Sequence, residues 1–300
     1  MSDQALIKKI NRLKSEKNAV ILVHNYQRPE IYEVADFIGD SLELAREAQK
    51  TDAKIIVFCG VDFMAESAKI LNPDKKVLLP AIMARCPMAA MVDEAGLVEM
   101  QKKYPEAATV GYINTSAATK ALCDVCCTSA NVIEVVGRLE QKQIIFVPDK
   151  NLADYAQSRL PDKQIIPWAG FCYVHNRILS QQLQEARRLH PEAVVIAHPE
   201  CPADVIKLAD AVASTSGMLK FASRSDADEF IIATEMGMTH RLQTQIPDKK
   251  FYSAGGVCVQ MKKNTLELVY QELREENNEI TVPEDVRLAA KRSLDKMLSE

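Results

Sequence analysis

Glycine is scarce in this chain, ten residues in 300, and none falls in a GxGxxG or GxxxxGK[ST] arrangement. Dinucleotide-binding and P-loop folds need such glycines to bring backbone against phosphate, so both readings are excluded. No apolar run approaches the roughly 20 residues of a membrane helix. The first seventeen residues, MSDQALIKKINRLKSEK, are polar and amphipathic and hold no signal-peptide core. The expected compartment is therefore a reducing cytoplasm, where paired disulfides are not the default use of cysteine. An excess of one charge is missing too. Lys and Arg number 37 against 41 Asp and Glu, a net charge of −4 with both signs interspersed. No basic patch or arm argues for nucleic acid. Hydrophobic residues make up 47% and charged residues 26%, enough apolar material for a sizeable soluble core.

Cysteine is present in some number, eight residues, and three of them are evenly placed. Cys86, Cys172 and Cys258 are each 86 residues from the next. Even spacing suggests one unit built three times, with the three thiols meeting at one point. Such a trio would hold a metal or an iron–sulfur cluster and leave one position open. The competing reading is that each is a small buried hydrophobe.

The rest of the chain carries the same period. Short β-branched runs such as AVILVHN, KIIVFCG, ATVGYIN, QIIFVPD, AVVIAHP and EFIIATE alternate with helical stretches such as SLELAREAQK and NVIEVVGRLEQK. Ten runs of this kind are apolar throughout, the pattern of parallel strands covered on both faces. Strand, helix, strand in repetition means βαβ units. The predicted fold is α/β: three αβα lobes in pseudo-threefold arrangement, residues 1–92, 93–177 and 178–263, with 264–300 packing back on the first. One strand of each unit ends near His24, Tyr112 or His198. Seventeen residues after these lie Ser41, Ser129 and Thr215. Each hydroxyl precedes a helical stretch, an N-cap context. Helix N-termini facing one cavity at strand carboxyl ends also favour an anionic ligand, so an acidic substrate is expected.

The segments VHNYQ, IGDSLELA, FCGVDFMAESAKILNPDKKVLLP, ARCPMA, GYINTSAATKA, CTSAN, HPEC, STSGM and GGVCVQMKKNTLE resemble those of the quinolinate synthase family. The resemblance implies three αβα lobes around one 4Fe–4S cluster bound by Cys86, Cys172 and Cys258. It implies condensation of iminoaspartate with dihydroxyacetone phosphate, and L-aspartate oxidase as the functional partner that supplies iminoaspartate. It assigns acid–base roles to His24, Tyr26, His198 and Glu200. Substrate contacts fall to those four and to Tyr112, Asn114, Ser41, Ser129, Ser214 and Thr215. Some members carry CxxCxxC at the last ligand; here only Cys258 is present. The histidines are expected to titrate near neutral pH and shuttle protons. His175, three residues after Cys172, reads equally as a neighbour of the cluster or as a helix-start residue. Monomer and homodimer both fit the sequence. A three-cysteine hydro-lyase acting on hydroxy-acids and an iron–sulfur redox sensor are the alternative functions.

Cys123-Asp124-Val125-Cys126-Cys127 holds a CxxC outside the 86-residue register. It reads as a loop leading to the Ser129 helix, in which Cys123 and Cys126 either pair reversibly under oxidation or are merely structural.

Overall fold

A computed structural model describes residues 2–299. Among these residues twelve strands form three separate four-stranded sheets, and the strands within each sheet pair in parallel. The first sheet contains β1 (Ala19–His24), β2 (Phe37–Gly39), β3 (Ile55–Cys59) and β4 (Lys76–Leu78). The second contains β5 (Ala108–Tyr112), β6 (Val125–Cys127), β7 (Gln143–Val147) and β8 (Gln164–Pro167). The third contains β9 (Val194–Ala197), β10 (Ala211–Val212), β11 (Glu229–Ala233) and β12 (Lys250–Ser253). Each sheet runs second, first, third, fourth, so the chain reverses direction across the sheet between its first and third strands. The three-lobed αβα architecture read from the sequence is the architecture of the molecule.

The repeat is exact in register. In the first sheet Leu22 pairs with Phe37, in the second Val110 with Val125, in the third Ile196 with Ala211: a separation of 15 each time. An aspartate locks that register in each lobe. Asp36 accepts from Ile21 N–H, Asp124 from Thr109 N–H and Asp210 from Val195 N–H, all at 2.8 Å. The offset of seventeen that placed Ser41, Ser129 and Thr215 is this register plus two residues beyond the edge strand.

Alternate strand residues feed two kinds of core. Leu22, Ile56, Phe58, Val110, Ile144, Phe146, Ile196, Phe230 and Ile232 point into one central cluster shared by all three sheets. Ile21, Val23, Ile55 and Val57 face outward onto the helix Asp3–Glu16 and the helix Leu266–Glu275. The other two lobes have smaller outer clusters of the same kind. Burying each such side chain stabilises the fold by about 1.5–3 kcal/mol, so the central cluster dominates lobe–lobe cohesion.

Four details differ from the sequence reading. β2 and β6 are not among the ten predicted strands; each is a three-residue edge strand. The CxxC is not simply a loop: Cys126 and Cys127 lie in β6 and are fully buried. Ser41 and Thr215 are first helical residues rather than caps. Asp40 caps Ser41–Lys50 by accepting from Leu42 and Glu43 N–H, and Ser214 caps Thr215–Arg224. Ser129 lies in a turn ahead of the helix Val132–Arg138. Finally, the C-terminal segment divides. Leu266–Glu275 lies on the first lobe, but Glu284–Leu298 lies against β6, the helix Ala117–Ala121 and the helix Asp62–Leu71. Its buried Ala290, Leu294 and Met297 explain why, since they cover apolar surface that the short edge strand β6 leaves open. Ser293 secures it, donating to Lys120 O and accepting from the Cys126 thiol.

Candidate active site and thiol trio

Each of the three register cysteines sits in a loop that leaves the fourth strand of its sheet and returns over the end of the third. Backbone bonds seat the loops identically: Asp62 N–H donates to Ala84 O, Lys150 N–H to Gly170 O and Met236 N–H to Gly256 O, all at 2.9 Å. The acceptor is always two residues before the cysteine. Gly255 runs so close to the strand end that a Cβ there would lie 1.4 Å from Thr234 O, so no larger residue fits.

Three residues after each cysteine a 3-10 turn begins: Ala89–Met91, His175–Arg177 and Met261–Lys263. Backbone N–H groups at the start of these turns bond to the sulfurs and favour the thiolate. Burial opposes them and is stronger. It pushes Cys86 up to about 12 and raises Cys172 and Cys258. Charge on Cys258 also raises Cys86, and charge on Cys86 raises Cys172, so the sulfurs are within electrostatic reach of one another. Positive charge placed among them would reverse this balance.

The three cysteines line one cavity. His24, Tyr26, Ser41, Tyr112, Asn114, Ser129, His198, Glu200 and Thr215 line the same cavity. Ser214 does not; its hydroxyl accepts from Gly217 N–H and donates to Asp40 Oδ2, a capping role. Asn114 Oδ1 is buried there with no partner, an acceptor awaiting a donor. Thr215 Oγ1 is already engaged by Asn25 Nδ2 at 3.0 Å, a bond between the first and third lobes.

A chain of hydrogen bonds crosses the cavity wall through all three lobes. Tyr26 OH lies 2.6 Å from Thr234 Oγ1, which lies 2.8 Å from His175 Nε2. His175 Nδ1 lies 2.9 Å from Glu200 Oε2, and Tyr112 OH donates to Glu200 Oε1. Thr234 ends an apolar run that gives no sign of it, and the sequence leaves His175 open between two roles. The structure places His175 at the centre, with Nδ1 also 3.2 Å from Cys172 Sγ and its ring stacked on His198 at 4.5 Å. Ligand atoms of Cys172, His175 and Glu200 all lie within 4.8 Å of one another. Their mutual hydrogen bonds account for that closeness.

His24 and His198 are set the same way. Nδ1 of His24 accepts from Tyr26 N–H, and Nδ1 of His198 accepts from Glu200 N–H. These bonds assign the remaining proton of each neutral ring to Nε2. Burial, with Lys262 beside His24 and His175 beside His198, brings both rings down to about 3. The expectation that they titrate near neutrality is corrected accordingly: both are neutral at pH 7. Burial alone would raise Glu200, but His175, His198 and the Tyr112 bond hold it below the ordinary carboxyl value. Tyr26 and Tyr112 are pushed well above theirs, chiefly by burial and then by Glu200. At neutral pH the wall therefore presents the Glu200 carboxylate, the protonated phenols of Tyr26 and Tyr112 and the neutral imidazoles of His24 and His198.

Cys123 and Cys126 lie outside this cavity as free, buried thiols. Cys123 donates to Thr119 O and Cys126 to Ser293 Oγ. Burial raises both thiols, and neither has the exposure that redox sensing needs. Cys201 is likewise packed, its thiol directed at Ala233 O.

Fold and site together define a three-lobed α/β protein with a thiol trio and a buried chain of hydrogen bonds at the lobe junction. The family model described as quinolinate synthetase A protein matches residues 8–299. Similar curated proteins include quinolinate synthase of Alkaliphilus metalliredigens, 53% identical, with 99% of each chain covered. Quinolinate synthase 1 of Methanosarcina acetivorans is 52% identical over all of this chain and 99% of its own. Quinolinate synthase of Thermodesulfovibrio yellowstonii is 51% identical over 98% of this chain and 97% of its own. The chain belongs to the quinolinate synthetase A family. No helix among the described residues is long and apolar enough to cross a membrane.

Proposed function

We propose that this chain is a cytoplasmic, transferase-type enzyme of NAD biosynthesis. It condenses iminoaspartate, supplied by L-aspartate oxidase, with dihydroxyacetone phosphate. The products are quinolinate, inorganic phosphate and two waters. The atoms balance without an oxidant or reductant, so the site needs proton movement and electrophilic activation only. The observation that carries the reading is the convergence of three thiols, an orphaned Asn114 Oδ1 and the Tyr26-to-Tyr112 relay in one cavity.

The donor set fits one 4Fe–4S cluster. Three cysteines line the cavity, each with backbone N–H groups turned to its sulfur, and no fourth cysteine lines it. Cys86, Cys172 and Cys258 would hold the cluster, which supplies Lewis acidity toward substrate oxygen at the position left without a protein ligand.

Glu200 is the base of the site, ionised and aimed by two donors. Shifting each proton along the relay by one bond moves a proton from the Tyr26 phenol to Glu200. Deprotonation at one end is thereby coupled to protonation at the other. His24 and His198 offer Nε2–H to anionic oxygens without adding full charge. Ser41, Ser129 and Thr215 offer hydroxyls to carboxylate and phosphate groups, and Asn114 Oδ1 accepts from a substrate N–H or O–H. Asp40 already caps its helix with its own carboxylate, so the hydroxyls rather than that helix's free amides recognise the anion.

The test is anaerobic purification with iron and sulfide analysis, followed by a quinolinate assay with aspartate oxidase supplying iminoaspartate. The expected result is one cluster per chain and quinolinate formation dependent on both substrates. Full activity without iron, or turnover of hydroxy-acids in place of these substrates, overturns the reading.

A further inference from the structure

Behind each register cysteine stands a strand-end carboxylate whose role the reaction leaves unexplained. Cys86 N–H donates to Asp62 Oδ1 at 3.0 Å. Cys172 N–H donates to Asp149 Oδ2 at 3.0 Å. Cys258 N–H donates to Glu235 Oε1 at 3.1 Å. The three acids follow β3, β7 and β11 and precede their cysteines by 24, 23 and 23 residues. Asp149 and Glu235 are fully buried. We propose that Asp62, Asp149 and Glu235 are positioning residues that hold the three ligand loops in cluster-binding geometry. The proposal rests on the cluster reading above.

The bonds act on the ligand's own backbone. A cysteine whose N–H is tied to a carboxylate, and whose loop carbonyl two residues earlier is tied to the same strand end, has little freedom to turn its sulfur away. Glu235 carries the tie further. Its Oε2 accepts from Gly237 N–H at 2.7 Å and from Lys262 Nζ at 3.1 Å, and Lys262 also donates to Tyr26 O. The Cys258 loop is thereby fastened to the first lobe next to the relay.

The acids differ in how they use their oxygens, and that difference sets which bonds an amide at each position keeps. Asp62 accepts from both Phe63 N–H and Cys86 N–H through one oxygen, Oδ1. An Asn at 62 keeps both bonds. Asp149 uses both oxygens, Oδ1 for Leu152 N–H and Oδ2 for Cys172 N–H. Glu235 likewise uses both. An amide at either position must turn its NH2 against a backbone N–H. All three amide substitutions keep the side chain's shape, so they differ in which backbone bonds survive.

The experiment loads parent, D62N, D62A, D149N and E235Q with iron and sulfide under anaerobic conditions. It follows loss of the cluster's visible absorbance in excess chelator. Melting and amide hydrogen exchange of each apo-chain are measured in parallel. D149N, E235Q and D62A are expected to lose the cluster at least about tenfold faster than parent, roughly 1.4 kcal/mol, and D62N within about twofold. Exchange at the Cys172 and Cys258 amides rises in D149N and E235Q respectively. Equal loss in all three amide variants, or parent-like retention in D149N and E235Q, overturns the proposal. Where D149N or E235Q does not fold, D62N against D62A decides. A parent that takes up no cluster sinks the cluster reading, while amide exchange still tests the clamp.

Discussion

Replacing Glu200 by Gln tests the acid–base reading most directly. The carboxylate is 3% exposed and takes two hydrogen bonds, from His175 Nδ1–H and from Tyr112 OH. Gln matches its shape, but its amide offers one acceptor and one donor. One of the two buried donors is left facing an NH2 group, at a cost of about 1–3 kcal/mol. Removal of a buried charge offsets part of this, so the fold is expected to survive with a modest drop in melting temperature. Catalysis loses its base, a factor of about 10²–10⁴, or roughly 2.7–5.5 kcal/mol in the barrier. Cluster content is expected to stay at the parent level, because Glu200 is not among the ligands. The assay is steady-state quinolinate formation, with iron and sulfide measured on the same sample. A fully loaded Gln variant within about tenfold of the parent rate refutes the role given to Glu200.

Thr234→Val removes the middle of the relay, while Thr234→Ser keeps the hydroxyl. The expected result is a fall in kcat of about 10–100-fold for Val with KM held, largely restored by Ser; equal rates for both would remove Thr234 from proton transfer. Stability is expected to fall with acid. His24 and His198 hold values of about 3 when folded against an ordinary 6.5, so below pH 6.5 the unfolded chain takes up protons that the folded chain refuses. The stabilisation is fully present above 6.5 and is lost as pH falls toward 3, up to about 5 kcal/mol per histidine. Glu200's lowered value adds loss in the same direction below its ordinary 4.5. A denaturation midpoint that stays level from pH 7 to about 5 would contradict this. Gly255→Ala drives a methyl into Thr234 O and is expected to cost about 3 kcal/mol or more and to release the Cys258 loop. Gly137→Ala, where the new methyl meets only Leu160 at 3.6 Å in a helix, is expected to be neutral or to stabilise by up to about 1 kcal/mol. Melting curves of the two variants check both.

Much of the site was legible as arithmetic. The 86-residue spacing of the cysteines and the offset of seventeen to the hydroxyls both follow from one strand register repeated three times. The same arithmetic could have found Asp62, Asp149 and Glu235, at near-constant distance before each cysteine. It gave no hint of Thr234, which ends an apolar strand like any other. The CxxC leaves two readings open in the sequence because a three-residue edge strand and a pair of reactive thiols look alike as letters.

By itself the sequence determined the local units. Parallel pairing, helix starts and loop lengths depend on residues within a few dozen positions, where continuous apolar runs and capping side chains act. Only the tertiary structure decided what meets across the lobes. Tyr26 and Thr234 are 208 residues apart, and Tyr26 and His175 are 149. Their contact depends on how three apolar sheet faces pack into one central cluster, and side-chain complementarity between such faces leaves no period along the chain. The neutrality of His24 and His198 has the same origin, because desolvation is a property of the closed cavity and not of either histidine.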